Sequence, residues 1–141
     1  MTVPYKNVQL NDTLQFLIAC SQTELSQEDI AYIDTYLSQI TDHQSLITVA
    51  TQHGILPLVY KTLKSLRSEV EAKTECDTLL EKLKPHYMTI AQKNMLMTSE
   101  LLNIMHLLQE HQIDVLSFKG PTLSQMAYGD ITLRQFGDLD I

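Results

Sequence analysis

Apolar residues recur every three or four positions through the first 110 residues of the chain, which is the spacing that places side chains on one face of an α-helix. This stretch is interrupted at residues suited to helix caps and tight turns, namely Asn11, Asp12, Thr41, Asp42, Gly54 and Pro57. The pattern therefore predicts four short helices before residue 67.

Residues 67–84 are rich in charge, and their pattern fits either a partly exposed helix or a loop followed by a helix. The longest helical pattern follows Pro85 and covers about residues 86–111. Apolar residues lie on several sides of this segment, so we expect it to be mostly buried. Its methionines, Met88, Met95, Met97 and Met105, are more typical of core packing than of a soft-metal site.

The pattern changes at Gln112. Residues 113–118 are β-branched or aromatic at half of their positions and predict a strand. Residues 122–128 predict a short helix closed by Gly129, and residues 136–141 predict a second strand. The predicted fold is thus α+β and mainly α. It has a helical region over residues 1–111, and residues 112–141 form the strand-helix-strand start of an α/β domain that is truncated at its C-terminus.

Composition narrows the possible functions. Hydrophobic residues make up 44% and charged residues 19% of the 141 positions, which is typical of a folded protein. The formal charge of -7 disfavours broad binding to nucleic acids or to acidic membranes. Cys20 and Cys76 have no metal-binding spacing and are expected to be buried thiols. Without a leader pattern or a long apolar run, the protein is expected to be cytoplasmic and not anchored in a membrane.

The candidate chemistry lies near the C-terminus. Asp138 and Asp140 alternate along a predicted strand, so both carboxylates would share one face and could hold magnesium. An Asp-x-Asp pair alone is more often two solvated acids. Here it follows the Lys119-Gly120 turn into a helix, where backbone N–H groups and a positive charge suit phosphate oxygens. Arg134 would add a second positive charge or pair with the acids.

Taken in order, several segments resemble the uncharacterised nucleotidyltransferases of the DNA polymerase beta-like superfamily. The resemblance covers roughly residues 10–141. The segments that carry it are Ala-Thr-Gln-His-Gly-Ile-Leu-Pro-Leu-Val-Tyr at 50–60, Phe118-Lys119-Gly120, Tyr128-Gly129-Asp130, Arg134 and Gly137-Asp138-Leu139-Asp140-Ile141. In that family the first segment belongs to the helical part, and the last ones open the catalytic sheet.

The resemblance implies that Asp138 and Asp140 ligate magnesium, with two ions in the intact protein, and that Lys119 and Gly120 lie at the nucleotide phosphates. Arg134 is the further candidate for a nucleotide contact. Two features depart from the wider superfamily. The turn reads Lys-Gly-Pro instead of Gly-Ser or Gly-Gly, which removes the usual serine contact. The third carboxylate, on a later strand, would lie beyond Ile141.

Two hypotheses about function remain open. In the first, the intact protein transfers a nucleoside monophosphate from an NTP to an acceptor that the sequence does not identify, and the 141-residue chain alone is expected to be inactive. In the second, the chain is a non-catalytic helical module with a degenerate nucleotidyltransferase end. That module would bind a protein partner or form a homodimer.

Overall fold

The computed structural model describes residues 11–141 and places six helices in that part of the chain. They are α1 (Asp12–Cys20), α2 (Gln27–Leu37), α3 (His43–Gln52), α4 (Leu56–Leu66), α5 (Lys73–Glu110) and α6 (Gly120–Tyr128). The chain forms two compact units, Met1–Leu83 and Lys84–Ile141, so that α5 contributes residues to both. The domain boundary predicted after residue 111 stays a prediction.

Side chains that were identified as caps in the sequence begin the first helices. Asn11 Oδ1 accepts a hydrogen bond from the Leu14 N–H at 2.9 Å, and Asp42 Oδ1 accepts one from the Ser45 N–H at 2.9 Å. Ser26 and Asp29 form a reciprocal capping box at the start of α2. Each cap satisfies N–H groups that have no partner within the helix, and the predicted starts of α1 and α3 are confirmed.

The core of the first unit is built from the inward faces of α1, α2, α3 and α4 and from the first residues of α5. Its fully buried side chains include Phe16, Leu17, Ile33, Leu37, Leu46, Leu56, Val59, Leu63 and Leu79. The Phe16 and Tyr36 rings stack with their centroids 5.3 Å apart. The Thr62 hydroxyl, itself buried, donates to the Cys20 carbonyl at 2.8 Å and so ties α4 to the end of α1. Over residues 11–83, this unit is therefore held together by helix packing.

Both cysteines are free and buried, as predicted. Burial raises the pKa of the Cys20 thiol well above its usual range, and it also raises the pKa of Cys76. A thiol held protonated in this way is a poor nucleophile and a poor metal ligand. These two residues are part of the core.

Helix α5 is one continuous helix through Pro85, which lies in its interior. The residues 73–84 before the proline are helical, which settles the open alternative for the charged segment in favour of a loop at 67–72 followed by a helix. Pro85 has no N–H to donate, so one hydrogen bond of the helix is missing there. The exposed position of Pro85 leaves room for its ring on the solvent side.

The predicted α+β fold is wrong. Among residues 11–141 no residue belongs to a strand, and the segments 113–118 and 136–141 are irregular. A strand is stabilised by hydrogen bonds to a neighbouring strand, and the described residues supply no such neighbour for either segment. Ile113, Leu116 and Phe118 are accordingly exposed by 52%, 78% and 56%. The described chain is all-helical.

The expectation that residues 86–111 are mostly buried is also wrong. Ala91 and Leu101 are buried, whereas Met88, Met95 and Leu102 are exposed by 45%, 58% and 61%. The three exposed residues follow one another at intervals of seven and form a stripe along α5. Within the second unit, α5 is therefore buried along one face and exposed along the other. None of the described helices is long and apolar enough to cross a membrane.

Candidate functional site

The start of α6 is formed by Lys119 and Gly120. Lys119 occupies the N-cap in an extended conformation and its side chain does not cap the helix. Pro121 has no N–H, and the N–H groups of Thr122 and Leu123 donate to the Lys119 carbonyl at 3.1 and 3.4 Å. Among the described contacts, this leaves the Gly120 N–H as the donor of the first turn that remains for an anion.

Gly120 is buried and has a φ of +52°, a left-handed conformation that favours glycine. A Cβ at this position would lie 3.4 Å from the Asp138 carbonyl oxygen and 3.8 Å from the Phe136 ring. The chain segment 136–138 therefore passes directly over Gly120, with Phe136 buried beside it. This packing places the backbone of Asp138 at the start of α6.

Asp140 also lies at the start of α6. Its Oδ2 is 3.6 Å from Lys119 Nζ, which in turn lies 5.2 Å from the centre of the Phe118 ring. The side chains of Lys119 and Asp140 are 54% and 29% exposed, so water screens their attraction and the ion pair is weak. Lys119, Gly120, Asp138 and Asp140 are thus brought together, although by loop packing and not by the alternation of a strand.

Arg134 is held differently. Its backbone carbonyl accepts a hydrogen bond from Asn94 at 2.9 Å, and its Nη1 is buried with no hydrogen-bond partner among the described residues. No ion pair between Arg134 and either aspartate is recorded in the described part of the chain. The nucleotide contact suggested for Arg134 stays a prediction.

The loop between α6 and the two aspartates contains residues that the sequence pattern did not single out as functional. Asp130 Oδ1 accepts from the N–H and the hydroxyl of Thr132 at 2.8 and 2.7 Å, and the Asp130 carbonyl accepts from the Ser124 hydroxyl at 2.9 Å. Tyr87 and Asn94 of α5 bind the same loop. Tyr87 and Asn94 are seven residues apart, on the helix face that also carries buried Ala91 and Leu101. A polar residue at a buried helical position was the available signal.

The segment 50–60 connects α3 to α4 in the first unit. Gly54 has a φ of +67° and closes α3, while the Ile55 N–H donates back to the Ala50 carbonyl at 3.0 Å. Pro57 follows in the first turn of α4, as predicted. The contacts of this segment within its unit are those of a structural turn.

At the start of α6 the described residues offer the Asp140 carboxylate, next to Lys119, and the backbone carbonyl of Asp138, whose own carboxylate is exposed. Within residues 11–141, no three His, Cys, Asp or Glu side chains are placed so that they could share a metal ion. Magnesium is commonly bound through one or two carboxylates together with substrate phosphates and water. The donor set of Asp138 and Asp140 fits that kind of site.

Comparison with known proteins gives one positive finding. Residues 40–141 match the model of a family described as uncharacterised nucleotidyltransferase, and the matched range includes the α3–α4 turn, the start of α6 and both aspartates. No curated protein and no solved structure matches the chain. Because the match extends over most of the 141 residues, the chain belongs to the uncharacterised nucleotidyltransferase family.

Proposed function

We propose that the natural protein containing this chain is a magnesium-dependent nucleotidyltransferase that transfers a nucleoside monophosphate from an NTP to an acceptor. One observation carries the proposal, namely the convergence of Lys119, Gly120, Asp138 and Asp140 at the start of α6. A cation, a backbone N–H at a helix start and carboxylates are groups that suit the binding of a metal-complexed triphosphate. Membership of the family supports the same activity.

Asp138 and Asp140 are the residues that would hold magnesium, together with phosphate oxygens and water. When bound, magnesium neutralises charge on the phosphates and stabilises the oxygens that exchange at phosphorus. The exposed carboxylate of Asp138 requires little desolvation to become a ligand. Asp140 is available because its present partner, Lys119, is held only by a screened ion pair.

Lys119 and Gly120 would bind the phosphates. The Lys119 side chain is more than half exposed, so its ammonium group is free to exchange the Asp140 carboxylate for a phosphate oxygen when a nucleotide arrives. The Gly120 N–H lies at the positive end of the α6 dipole and adds a donor with a fixed direction. The two groups together offset the charge that accumulates on the departing pyrophosphate.

Isothermal titration of ATP, GTP, CTP and UTP in the presence of magnesium tests this function. We expect at least one nucleotide to bind the natural protein only when magnesium is present, because the acids and the phosphates repel each other without it. Lys119→Met should weaken that binding about tenfold, which corresponds to about 1.4 kcal/mol for one charge-assisted contact.

Lys93→Met is the matched control, since it removes an exposed lysine from the same unit at a position outside the site. Its affinity should equal that of the unmodified protein. Failure of all four nucleotides to bind with magnesium would overturn the proposed function.

The second candidate function, a non-catalytic module that forms a homodimer, is favoured by the exposed stripe of Met88, Met95 and Leu102 on α5. Apolar residues at intervals of seven are typical of a seam between two paired helices, and a second copy presents the same stripe. The net charge of -7 opposes this pairing at low ionic strength.

Light scattering during size-exclusion chromatography tests the second candidate. A dimer that becomes a monomer when Met95 is replaced by glutamate would support it, because a buried charge at the seam is destabilising. Thr89→Glu adds the same charge at a polar, exposed position of α5 that faces away from the stripe, and it should leave the mass unchanged. In 0.5 M salt the Debye length is about 4 Å, so the repulsion between two copies is screened. A monomer at high protein concentration under these conditions would exclude the homodimer.

A further inference from the structure

Asn94 is the most deeply buried polar residue of α5. Its exposure is 0%, although its neighbours Lys93 and Met95 are both exposed. A buried amide is costly unless its donors and its acceptor find partners, so the position of Asn94 requires an explanation. Unlike Ala91 and Leu101 on the same face, it contributes hydrogen bonds to the chain that it covers.

Both hydrogens of the Asn94 amide bind the loop that leads to the two aspartates. Nδ2 donates to the Ile131 carbonyl at 2.8 Å and to the Arg134 carbonyl at 2.9 Å. One rigid amide group therefore fixes two carbonyls that are three residues apart. A hydrophobic residue of similar size would leave both carbonyls without this partner.

A second contact from α5 reinforces the first. Tyr87 lies two turns before Asn94, and its hydroxyl is 3.0 Å from the Thr132 hydroxyl. Thr132 is in turn bound to Asp130, whose carbonyl accepts from Ser124 of α6. Residues of both α5 and α6 thus bind the loop. Asn94 binds the end of the loop that is nearest in sequence to the two aspartates.

The loop continues directly into the proposed nucleotide site. Two residues after Arg134, the buried Phe136 packs against Gly120, and the backbone of Asp138 crosses the start of α6 at the same place. A shift of the Arg134 carbonyl therefore changes the position of Asp138 and the distance between Asp140 and Lys119. The accuracy needed to bind a metal-complexed triphosphate is of the order of 0.5 Å, which a loose loop does not provide.

Asn94 Oδ1 and Arg134 Nη1 are the two buried polar side-chain atoms that lack a hydrogen-bond partner among the described residues. The first is an acceptor and the second is a donor, and both belong to residues already joined through the Arg134 carbonyl. Each unsatisfied atom makes the present arrangement less favourable than one in which it is paired. A small change in the conformation of the loop near Arg134 that paired either atom would therefore lower the free energy of the folded protein.

We propose that Asn94 is a positioning residue of the nucleotide site, which acts through the loop 131–134 to set the placement of Asp138 and Asp140. This inference rests on the proposed function. It predicts that removing the two donors of the Asn94 amide weakens the binding of magnesium-nucleotide by more than any loss of stability explains. The residue touches neither the nucleotide nor the metal.

The test compares Asn94→Asp with Thr62→Val in the natural protein. Asn94→Asp keeps the size of the side chain but replaces both donors by an acidic oxygen that is repelled by the two carbonyls, whereas Thr62→Val removes a buried hydrogen bond to the Cys20 carbonyl in the first unit. At a temperature where circular dichroism shows both variants folded, the nucleotide that the unmodified protein binds most tightly is titrated with magnesium. We expect at least a tenfold weaker affinity for Asn94→Asp and an unchanged affinity for Thr62→Val. Asn94→Gln, which retains the donors, should recover part of the loss.

Two other outcomes separate the possible failures. If the unmodified protein binds nucleotide and folded Asn94→Asp binds equally well, the role of Asn94 is disproved and the proposed function stands. If the unmodified protein binds no nucleotide, the proposed function has failed before Asn94 is considered.

A measurement on the unmodified protein decides the matter if Asn94→Asp does not fold. The side-chain amide resonances of Asn94, observed by nitrogen-15 NMR, should shift during titration with the magnesium-nucleotide, because the carbonyls that they bind move with the site. The amide of Asn103, an exposed residue of the same helix, is the internal control. Asn94 resonances that stay unchanged at saturation would disprove the proposal.

Discussion

Replacing Asp138 and Asp140 together by asparagine is expected to reduce nucleotidyl transfer by the natural protein at least about a thousandfold, since metal ions contribute several kcal/mol to stabilising transferred phosphate and each 1.4 kcal/mol is a factor of ten. Asparagine retains the size of aspartate but loses the charge that attracts magnesium. Both carboxylates lie in exposed or half-exposed positions, so their loss should not unfold the protein. The measurement is the rate of pyrophosphate release at saturating NTP, beside a thermal melt.

Asp114→Asn is the matched control for this double variant, because it removes an exposed carboxylate from the same unit outside the site. Its rate should be unchanged. The two single variants should differ in their rates of pyrophosphate release. Asp140→Asn also releases Lys119 from its ion pair, whereas Asp138→Asn leaves that pair intact. Full activity in the folded double variant would show that the Asp-x-Asp pair has no catalytic role.

The local rules of helix formation predicted the first unit well. Asn11, Asp42 and Gly54 act through hydrogen bonds or backbone conformations that involve residues only a few positions away. A cap of this kind has the same energy wherever the helix later packs, so the sequence alone identifies it. The long apolar pattern after Pro85 was also correctly assigned to a helix.

The two strands were wrongly predicted because a strand depends on a partner that local pattern does not reveal. Residues 113–118 have the right composition, but their backbone has no neighbouring strand within the described chain. The exposure of Met88, Met95 and Leu102 was missed for the same reason, since burial is decided by what lies opposite a face and not by the face itself. Periodicity shows which residues lie together, not what covers them.

Four of the five predicted site residues lie near one another at the start of α6, but not through the strand that was predicted, and their functional roles stay a prediction. Lys119 and Asp140 are paired, and Asp138 packs over Gly120, although the strand that was to align the two acids is absent from the described residues. The contribution of Asn94 was not predicted. A polar residue on the buried face of the helix was a visible signal, but the sequence does not show which two carbonyls it binds. Such contacts between distant parts of the chain become visible only in three dimensions.

Gly120 and Gly129 offer a pair of substitutions that separates backbone strain from damage to the site. Both have left-handed φ values, +52° and +66°. A Cβ at Gly120 would meet the Asp138 carbonyl and Phe136, whereas at Gly129 it would meet nothing within 4 Å. Gly129→Val should therefore lower the free energy of unfolding by the cost of the left-handed conformation, about 1–2 kcal/mol.

Gly120→Val should cost the same strain and about 1–3 kcal/mol more, because the valine methyl groups extend beyond a Cβ that is already in contact with the Asp138 carbonyl. The segment 136–138 must then move away from α6, and Asp138 and Asp140 move with it. Denaturant unfolding measures the difference in stability. Titration with nucleotide and magnesium, at a temperature where both variants are folded, measures the affinity of the site for nucleotide. We expect an affinity loss of tenfold or more for Gly120→Val alone. Equal affinities in the two variants would mean that the packing of Asp138 against Gly120 does not place the nucleotide ligands, and the basis for assigning the site to the start of α6 would be removed.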